Sequence, residues 1–310
     1  MREPVKQKAR GSAAPARKVA KSPKRVRAAA PGEEPVPTEL ALAVKERRAI
    51  LFAGAGLSMN VGLPSWQEFI NRMGEELGLD TENLLGPAAS YHTLAEYYRI
   101  RQGSVGPLRS WMDRNWKVSD EKVRASKMHA LIVELNFPII YTTNYDRNLE
   151  AAFAAHRCDF VKVANARDIA KTREGVAQIV KFHGDFDDDD SLVITETDYF
   201  NRLAFDSALD IKFQSDALGK TVLFIGYSMT DLNIRLLLHN LWRTWQTSGY
   251  AKDRPKSFVF MARPNPMQKA ILEQWGITAL SGESDDPEEA LTAFLEALKM
   301  RAGELEPERD

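Results

Sequence analysis

Cysteine is almost absent: Cys158 is the only one among 310 residues. One cysteine closes no internal disulfide and cannot furnish a four-cysteine zinc site. Such a chain suits a reducing cytoplasm, and a cytoplasmic location is the expectation. Long hydrophobic runs are absent as well. No eighteen consecutive apolar residues occur, so no membrane span is expected. The N-terminal stretch lacks the apolar segment of a secretory signal. Against these absences stand 44% hydrophobic residues, at a length that suits one large domain or two modest ones and can bury a sizeable core. No internal repeats are visible.

Net charge is nearly absent too, −1 from 42 basic and 43 acidic side chains, but the charges are segregated. Residues 1–30 hold ten Lys or Arg (Arg2, Lys6, Lys8, Arg10, Arg17, Lys18, Lys21, Lys24, Arg25 and Arg27) against Glu3 alone, about +9, which leaves about −10 on the remainder. This is a basic arm on an acidic body. The arm is rich in Ala and Pro and has no aromatics, so it cannot offset the entropy cost of ordering itself. Residues 1–37 are therefore expected to be a disordered arm. It either docks nucleic acid or an acidic partner, or is a solvated tail with no specific use.

Beyond the arm, short apolar runs alternate with helical patterns. Thr38 can cap a helix over 39–47, and 48–53 reads as a strand buried on both faces. Ser65 can cap an amphipathic helix with Trp66, Phe69, Ile70, Met73 and Leu77 at helical spacing. Residues 80–136 read as mostly helical, with turns near Gly86 and Gly103–Gly106 and with Leu94, Tyr97, Tyr98, Leu131, Val133 and Leu135 in the core. Further strands are expected at 138–143, 176–182, 192–195, 221–225 and 257–261, and helices at 146–155, 196–203, 206–219, 231–244, 266–275 and 287–300. That alternation predicts an α/β fold: a Rossmann-like parallel sheet with helices on both faces, and a helical layer inserted at about 66–136 after the first Gly-rich loop.

In open parallel sheets ligands bind beyond the C-terminal strand ends, and the polar clusters of this sequence lie there. Gly54-Ala55-Gly56-Leu57-Ser58 follows the first strand and permits tight backbone approach to a pyrophosphate, although the usual third glycine is missing; a plain tight turn is the competing reading. Asn144 and Asp146 follow the second strand. An Asn there can orient a water or hold a leaving amide and an Asp can anchor a ribose hydroxyl, or the pair simply caps the next helix. His183, in Phe182-His183-Gly184, follows the third. It is a natural general base for a ribose hydroxyl, whereas His92, His129, His156 and His239 lie in helical stretches without partner motifs and read as structural. Gly226-Tyr227-Ser228, with Asp231 and Asn233 beyond it, can hold phosphate or ribose hydroxyls or else cap a helix. The run Asp185 and Asp187–Asp190 could suggest a metal, but it lacks the spacing of a calcium loop and reads as a solvated turn, so no metal is expected.

In this order the stretches 54–58, 62–66, 142–146, 182–184 and 226–228 resemble the sirtuin family, and more closely the bacterial SIR2-like domains of anti-phage defence. The resemblance covers about residues 45–265. It implies an NAD-binding domain over 38–303 and a short tail at 304–310. It implies that Gly54, Ala55, Gly56 and Ser58 line the pyrophosphate, that Asn144 and Asp146 sit by the nicotinamide ribose, that His183 is the catalytic histidine, and that Gly226 and Ser228 approach the adenosine half. Pro64, Trp66, Asp231 and Asn233 join the binding set on the same ground. Protein-deacetylating sirtuins typically carry a four-cysteine zinc module, which this chain lacks, so no zinc is expected. Their GIPDFR-type segment reads Gly62-Leu63-Pro64-Ser65-Trp66-Gln67 here, and their TQN-type segment reads Thr142-Thr143-Asn144.

The activity this implies is hydrolysis of NAD to nicotinamide and ADP-ribose, with Asn144 and His183 as the catalytic pair. Two alternatives stay open: an NAD-dependent deacylase or ADP-ribosyltransferase, and a non-catalytic NAD- or ADP-ribose-binding subunit of a larger assembly. Free NAD hydrolysis would harm the cell that makes it. Gating is therefore expected, through homo-oligomerisation or through a partner such as a nucleic-acid motor or an Argonaute-like protein.

Overall fold

The computed structural model describes residues 35–63, 66–79, 91–188, 191–227, 229, 231–263 and 265–305, with Trp66 and Gln67 described as backbone only. The basic arm up to residue 34, Ser65 and the turn near Gly86 lie outside the described residues.

Seven parallel strands form one sheet in the order β3-β4-β2-β1-β5-β6-β7. They are β1 (Ala49–Ala53), β2 (Ile139–Thr142), β3 (Phe160–Val163), β4 (Ala177–Lys181), β5 (Thr221–Ile225), β6 (Ser257–Phe260) and β7 (Ile277–Leu280). The central strands are continuous apolar runs because both faces are covered, and alternate side chains go to opposite cores. Leu51, Ala53, Ile140, Ile179, Leu223 and Ile225 face one core. It is closed by α1 (Thr38–Lys45), α6 (Asp120–Ala125), α7 (Lys127–Glu134), α8 (Asn148–Ala155) and α14 (Pro287–Glu304). Ile50, Phe52, Tyr141, Val180, Val222 and Phe224 face the other. That side is covered by α11 (Ala208–Gly219), α12 (Leu232–Ser248) and α13 (Pro266–Gln274).

A third apolar cluster belongs to the inserted helices α3 (Trp66–Leu77), α4 (Tyr91–Gln102) and α5 (Gly106–Asn115). Phe69, Met73, Leu94, Tyr98, Leu108 and Met112 meet Tyr145, Phe186, Leu192 and Ile194, which come from the loops at the strand ends. This layer thus sits on the C-terminal edge of the sheet rather than on either face. Three short α-helices, α2 (Ala55–Met59), α9 (Ala166–Ile169) and α10 (Glu196–Arg202), and a 3-10 turn at Ala251–Asp253 complete the described elements.

Several expectations change. Residues 192–195 are not a strand: Val193 N–H donates to the His183 carbonyl at 2.9 Å, but the run adds no rung to the sheet, because Leu192 and Ile194 are drawn into the third cluster. The strands β3 and β7 were not expected. Both are four-residue edge elements whose identity comes from pairing with β4 and β6 rather than from composition. Thr38 is the first residue of α1, not its cap, since Pro37 holds the cap position without a side-chain bond. Tyr97 is 41% exposed and does not belong to the core. Asp185, read as part of a solvated turn, is 1% exposed; its Oδ1 accepts from Asp187 N–H at 2.8 Å and its Oδ2 lies 3.3 Å from Lys162 Nζ.

Candidate active site

The chain runs from β1 to β2 on one side and continues on the other side of β1 with β5. The crevice beyond the C-terminal ends of β1 and β5 is therefore the topological switch point, where open α/β sheets bind ligands. Two turns meet there. Gly54 N–H donates to the Ile225 carbonyl and Gly56 N–H to the Gly226 carbonyl, each at 2.9 Å. A Cβ on Gly54 would stand 2.5 Å from the Gly226 oxygen, and Gly226 has φ +59° with its Cβ direction 2.8 Å from Leu57 N. The glycines are there so that two backbones can touch.

Beside this junction lies a cavity of about 400 Å³. Of the residues singled out in the sequence, Ala55, Gly56, Ser58, Asn144, Asp146, His183, Gly226 and Asp231 line it. Gly54 stands behind the wall, where its carbonyl accepts from Asn144 Nδ2 at 3.1 Å. Asn233 is buried outside the cavity and donates from Nδ2 to the Tyr199 carbonyl at 3.4 Å. Pro64 and Ser228 lie outside the described residues, as does the Trp66 side chain.

Asn144, Ser58 and Asp146 form one chain of hydrogen bonds. Asn144 Nδ2 donates to Ser58 Oγ at 3.0 Å as well as to Gly54 O, and Ser58 Oγ donates to Asp146 Oδ2 at 2.7 Å. Both amide hydrogens of Asn144 are thereby committed, so its Oδ1 is the atom left to accept from a water or ligand. Ser58 has no second proton for a phosphate. Asp146 Oδ1 accepts from Asn148 N–H at 3.0 Å, and the buried Lys181 ammonium donates to the Asp146 carbonyl. Lys181 also lies 3.4 Å from Glu150 Oε1; burial raises the Glu150 carboxyl, with the Lys181 charge opposing that rise.

His183 closes the far side. It is 4% exposed, and burial pushes it down to about 4 against a pull upward from Asp231, so it is neutral at pH 7. Its Nε2 lies 3.7 Å from Asp231 Oδ2. Asp231 caps α12, with Oδ1 accepting from Asn233 N–H at 2.9 Å and Ile234 N–H at 3.4 Å. Its other oxygen accepts from Tyr199 Oη at 3.3 Å.

The sequence reading missed the walls. Tyr91, Trp116, Tyr145, Tyr199 and Tyr227 all line the cavity. Tyr145 and Tyr227 sit inside the quoted motifs and could have been noticed there. Tyr91, Trp116 and Tyr199 come from separate helical segments and carry no local signal. Burial, followed by the Asp231 charge, raises the Tyr91, Tyr199 and Tyr227 phenols, all of which stay protonated at neutral pH. His92, read as structural, has its Nδ1 2.9 Å from the Ile194 carbonyl, and its ring packs at a tilt against Tyr199 and so buttresses the site.

Residues 138–280 match the family model described as SIR2-like domain. The NAD(+) hydrolase ThsA of Enterococcus faecium is 37% identical over 64% of this chain and 41% of its own length. Defense-associated sirtuin 2 of Bacillus subtilis is 25% identical over 76% of this chain and 23% of its own. The chain thus spans about two fifths of the first relative and a quarter of the second. Among solved structures, a SIR2 homolog–NAD complex aligns over 86% of this chain and 95% of that chain, at 12% identity and a TM-score of 0.43. With β1, β2, β4 and β5 delivering the stretches 54–58, 142–146, 182–184 and 226–227 to one cavity, the chain is similar in sequence to SIR2-like proteins, most directly over residues 138–280, which match the SIR2-like domain.

Proposed function

We propose that this cavity binds NAD+ and hydrolyses the bond between nicotinamide and ribose C1′. The observation that carries the reading is the convergence of Asn144, Asp146 and a neutral His183 on one cavity at the switch point of the sheet. The name of the E. faecium relative, an NAD(+) hydrolase, agrees with it.

The C1′–N bond breaks with its electron pair moving to the ring nitrogen, and positive charge grows on C1′. A water held by Asn144 Oδ1 attacks C1′, and its proton passes to a base. His183 Nε2 serves as that base, directly or through a ribose hydroxyl. The products are nicotinamide, ADP-ribose and a proton. Asp146, held by Ser58, Asn148 and Lys181, stands where it can accept from the ribose or the carboxamide. The joined turns at Gly54–Gly56 and Gly226 let the pyrophosphate approach backbone.

The wider reading has residues 38–303 as the NAD-binding domain with the helical insertion at about 66–136, and residues 1–37 as a basic arm for nucleic acid or an acidic partner. It places the protein in the cytoplasm, as a homo-oligomeric, gated effector of defence. The segregated charge and the name of the B. subtilis relative support this. Among the described residues no helix is long and apolar enough to cross a membrane.

The test is nicotinamide release from NAD+ together with NAD+ binding. Asn144→Ala and His183→Ala should each lose about 10²–10⁴-fold in turnover while keeping the fold. Undiminished turnover in both variants removes the site, and a wild-type protein that neither binds nor cleaves NAD+ removes the activity.

A further inference from the structure

The Asp231 carboxylate is only half explained by its helix. Oδ1 caps α12 through the N–H groups of Asn233 and Ile234, which any Asn or Ser would also do. Oδ2 is turned into the cavity wall, toward Tyr199 Oη at 3.3 Å and His183 Nε2 at 3.7 Å. The side chain is 12% exposed, and among the described residues its one ion-pair contact is that histidine. Among the described residues no lysine or arginine pairs with it, and His183 is neutral at pH 7. Its hydrogen-bond partners, two helix N–H groups and the Tyr199 hydroxyl, carry no net charge, so the carboxylate leaves the cavity with negative potential. Its other walls strengthen that: Tyr91, Trp116, Tyr145, Tyr199 and Tyr227 surround the same space, and aromatic faces attract cations.

We infer that the cavity recognises the positive charge of a flat pyridinium ring, with Asp231 as its counter-ion, and so selects the oxidised dinucleotide over the reduced one. The inference rests on the nicotinamide reading of the cavity and deepens it. Asp231 would then act at the nicotinamide end, beside His183, and not at the adenosine half that the family resemblance implies for its neighbourhood. The dihydropyridine ring of the reduced cofactor is neutral and gains nothing from Asp231. Cleavage has the same effect on the product: the electron pair of the C1′–N bond neutralises the ring nitrogen, so nicotinamide loses its attraction to the site as it forms. The positive charge moves to C1′, still in the same negative field, which favours the transition state over the neutral product.

Two small rings separate charge from shape. 1-Methylnicotinamide is a permanent cation and nicotinamide is its neutral counterpart. Binding of each is measured by calorimetry to wild type and to Asp231→Asn, which keeps the cap, with Asp231→Ser as a second cap-competent variant. The expected result is tighter wild-type binding of the cation, a loss of about tenfold or more in both variants for the cation, and a change under twofold for nicotinamide. The preference for NAD+ over NADH should narrow in parallel. Equal losses for both rings, no loss for either, or equal wild-type affinities would overturn the inference. If wild type binds NAD+ but not the cationic ring, the inference falls and the hydrolase reading stands. If it binds none of them, the nicotinamide reading falls too.

Discussion

His183 and His129 are both held down to about 4 by burial, which at neutral pH keeps them uncharged. In the unfolded chain a histidine titrates near 6.5. Between those values the unfolded chain takes up protons that the folded one refuses, so acid favours unfolding. Their stabilising effect is complete above about pH 6.5 and is lost as pH falls through about 4. Each is worth about 3 kcal/mol over the whole window. The urea midpoint should therefore fall steadily from pH 7 to pH 4.5, and the double variant His129→Gln, His183→Gln should flatten that slope. An unchanged slope would mean that the two imidazoles are not held neutral. On the proposed hydrolase reading, the same depression should put the acid limb of nicotinamide release well below pH 6.5. At this scale the sequence set His183 apart from the other four histidines by its place at a strand end among polar turns. It could not reveal Tyr91, Trp116 or Tyr199, whose side chains meet only because three helical segments converge.

The turn after β1 and the turn after β5 behave as one element, since Gly54 and Gly56 bond to the backbone of 225–226. Gly226→Ala would force a side chain into φ +59° with its Cβ 2.8 Å from Leu57 N. A backbone atom cannot give way cheaply, so the loss should exceed about 2 kcal/mol, with nicotinamide release falling as the junction opens. Gly103→Ala is the control. It has φ +79° but nothing within 4 Å, so it should cost only about 1 kcal/mol and leave activity intact. Similar losses by chemical denaturation would show that the close approach is not what Gly226 provides. The central strands were legible because they are buried on both faces and read as unbroken apolar runs. The edge strands β3 and β7 were not, because Phe160–Val163 is only partly buried and includes Lys162, and Ile277–Leu280 exposes Thr278. Residues 192–195 misled in the opposite sense: apolar and short, they look like a strand, but their apolar side chains serve the inserted helices.

Across the whole molecule the cavity draws on three layers. Gly56 and Gly226 come from the sheet's switch point, Asp231 from the start of a helix covering one face, and Tyr91, Trp116 and Tyr145 from the helical layer and the loop beneath it. The third apolar cluster touches the sheet through Tyr145, Phe186, Leu192 and Ile194, all of which belong to loops. A ligand filling the cavity would add contacts between that cluster and the turns of β1 and β5, so it should stabilise the layers together. Linkage sets the size: at a ligand concentration one hundred times Kd the gain is about 2.7 kcal/mol. His183→Ala is the protein for this measurement, since slow turnover keeps NAD+ intact. Its single thermal transition should move upward with NAD+ and follow the binding curve. Hydrogen exchange in α3 to α5 should slow in step with exchange in the turns at 54–58 and 226. If NAD+ protects those turns while α3 to α5 exchange as before, the helical layer is not a wall of the binding site, and neither Tyr91 nor Trp116 holds the nicotinamide ring.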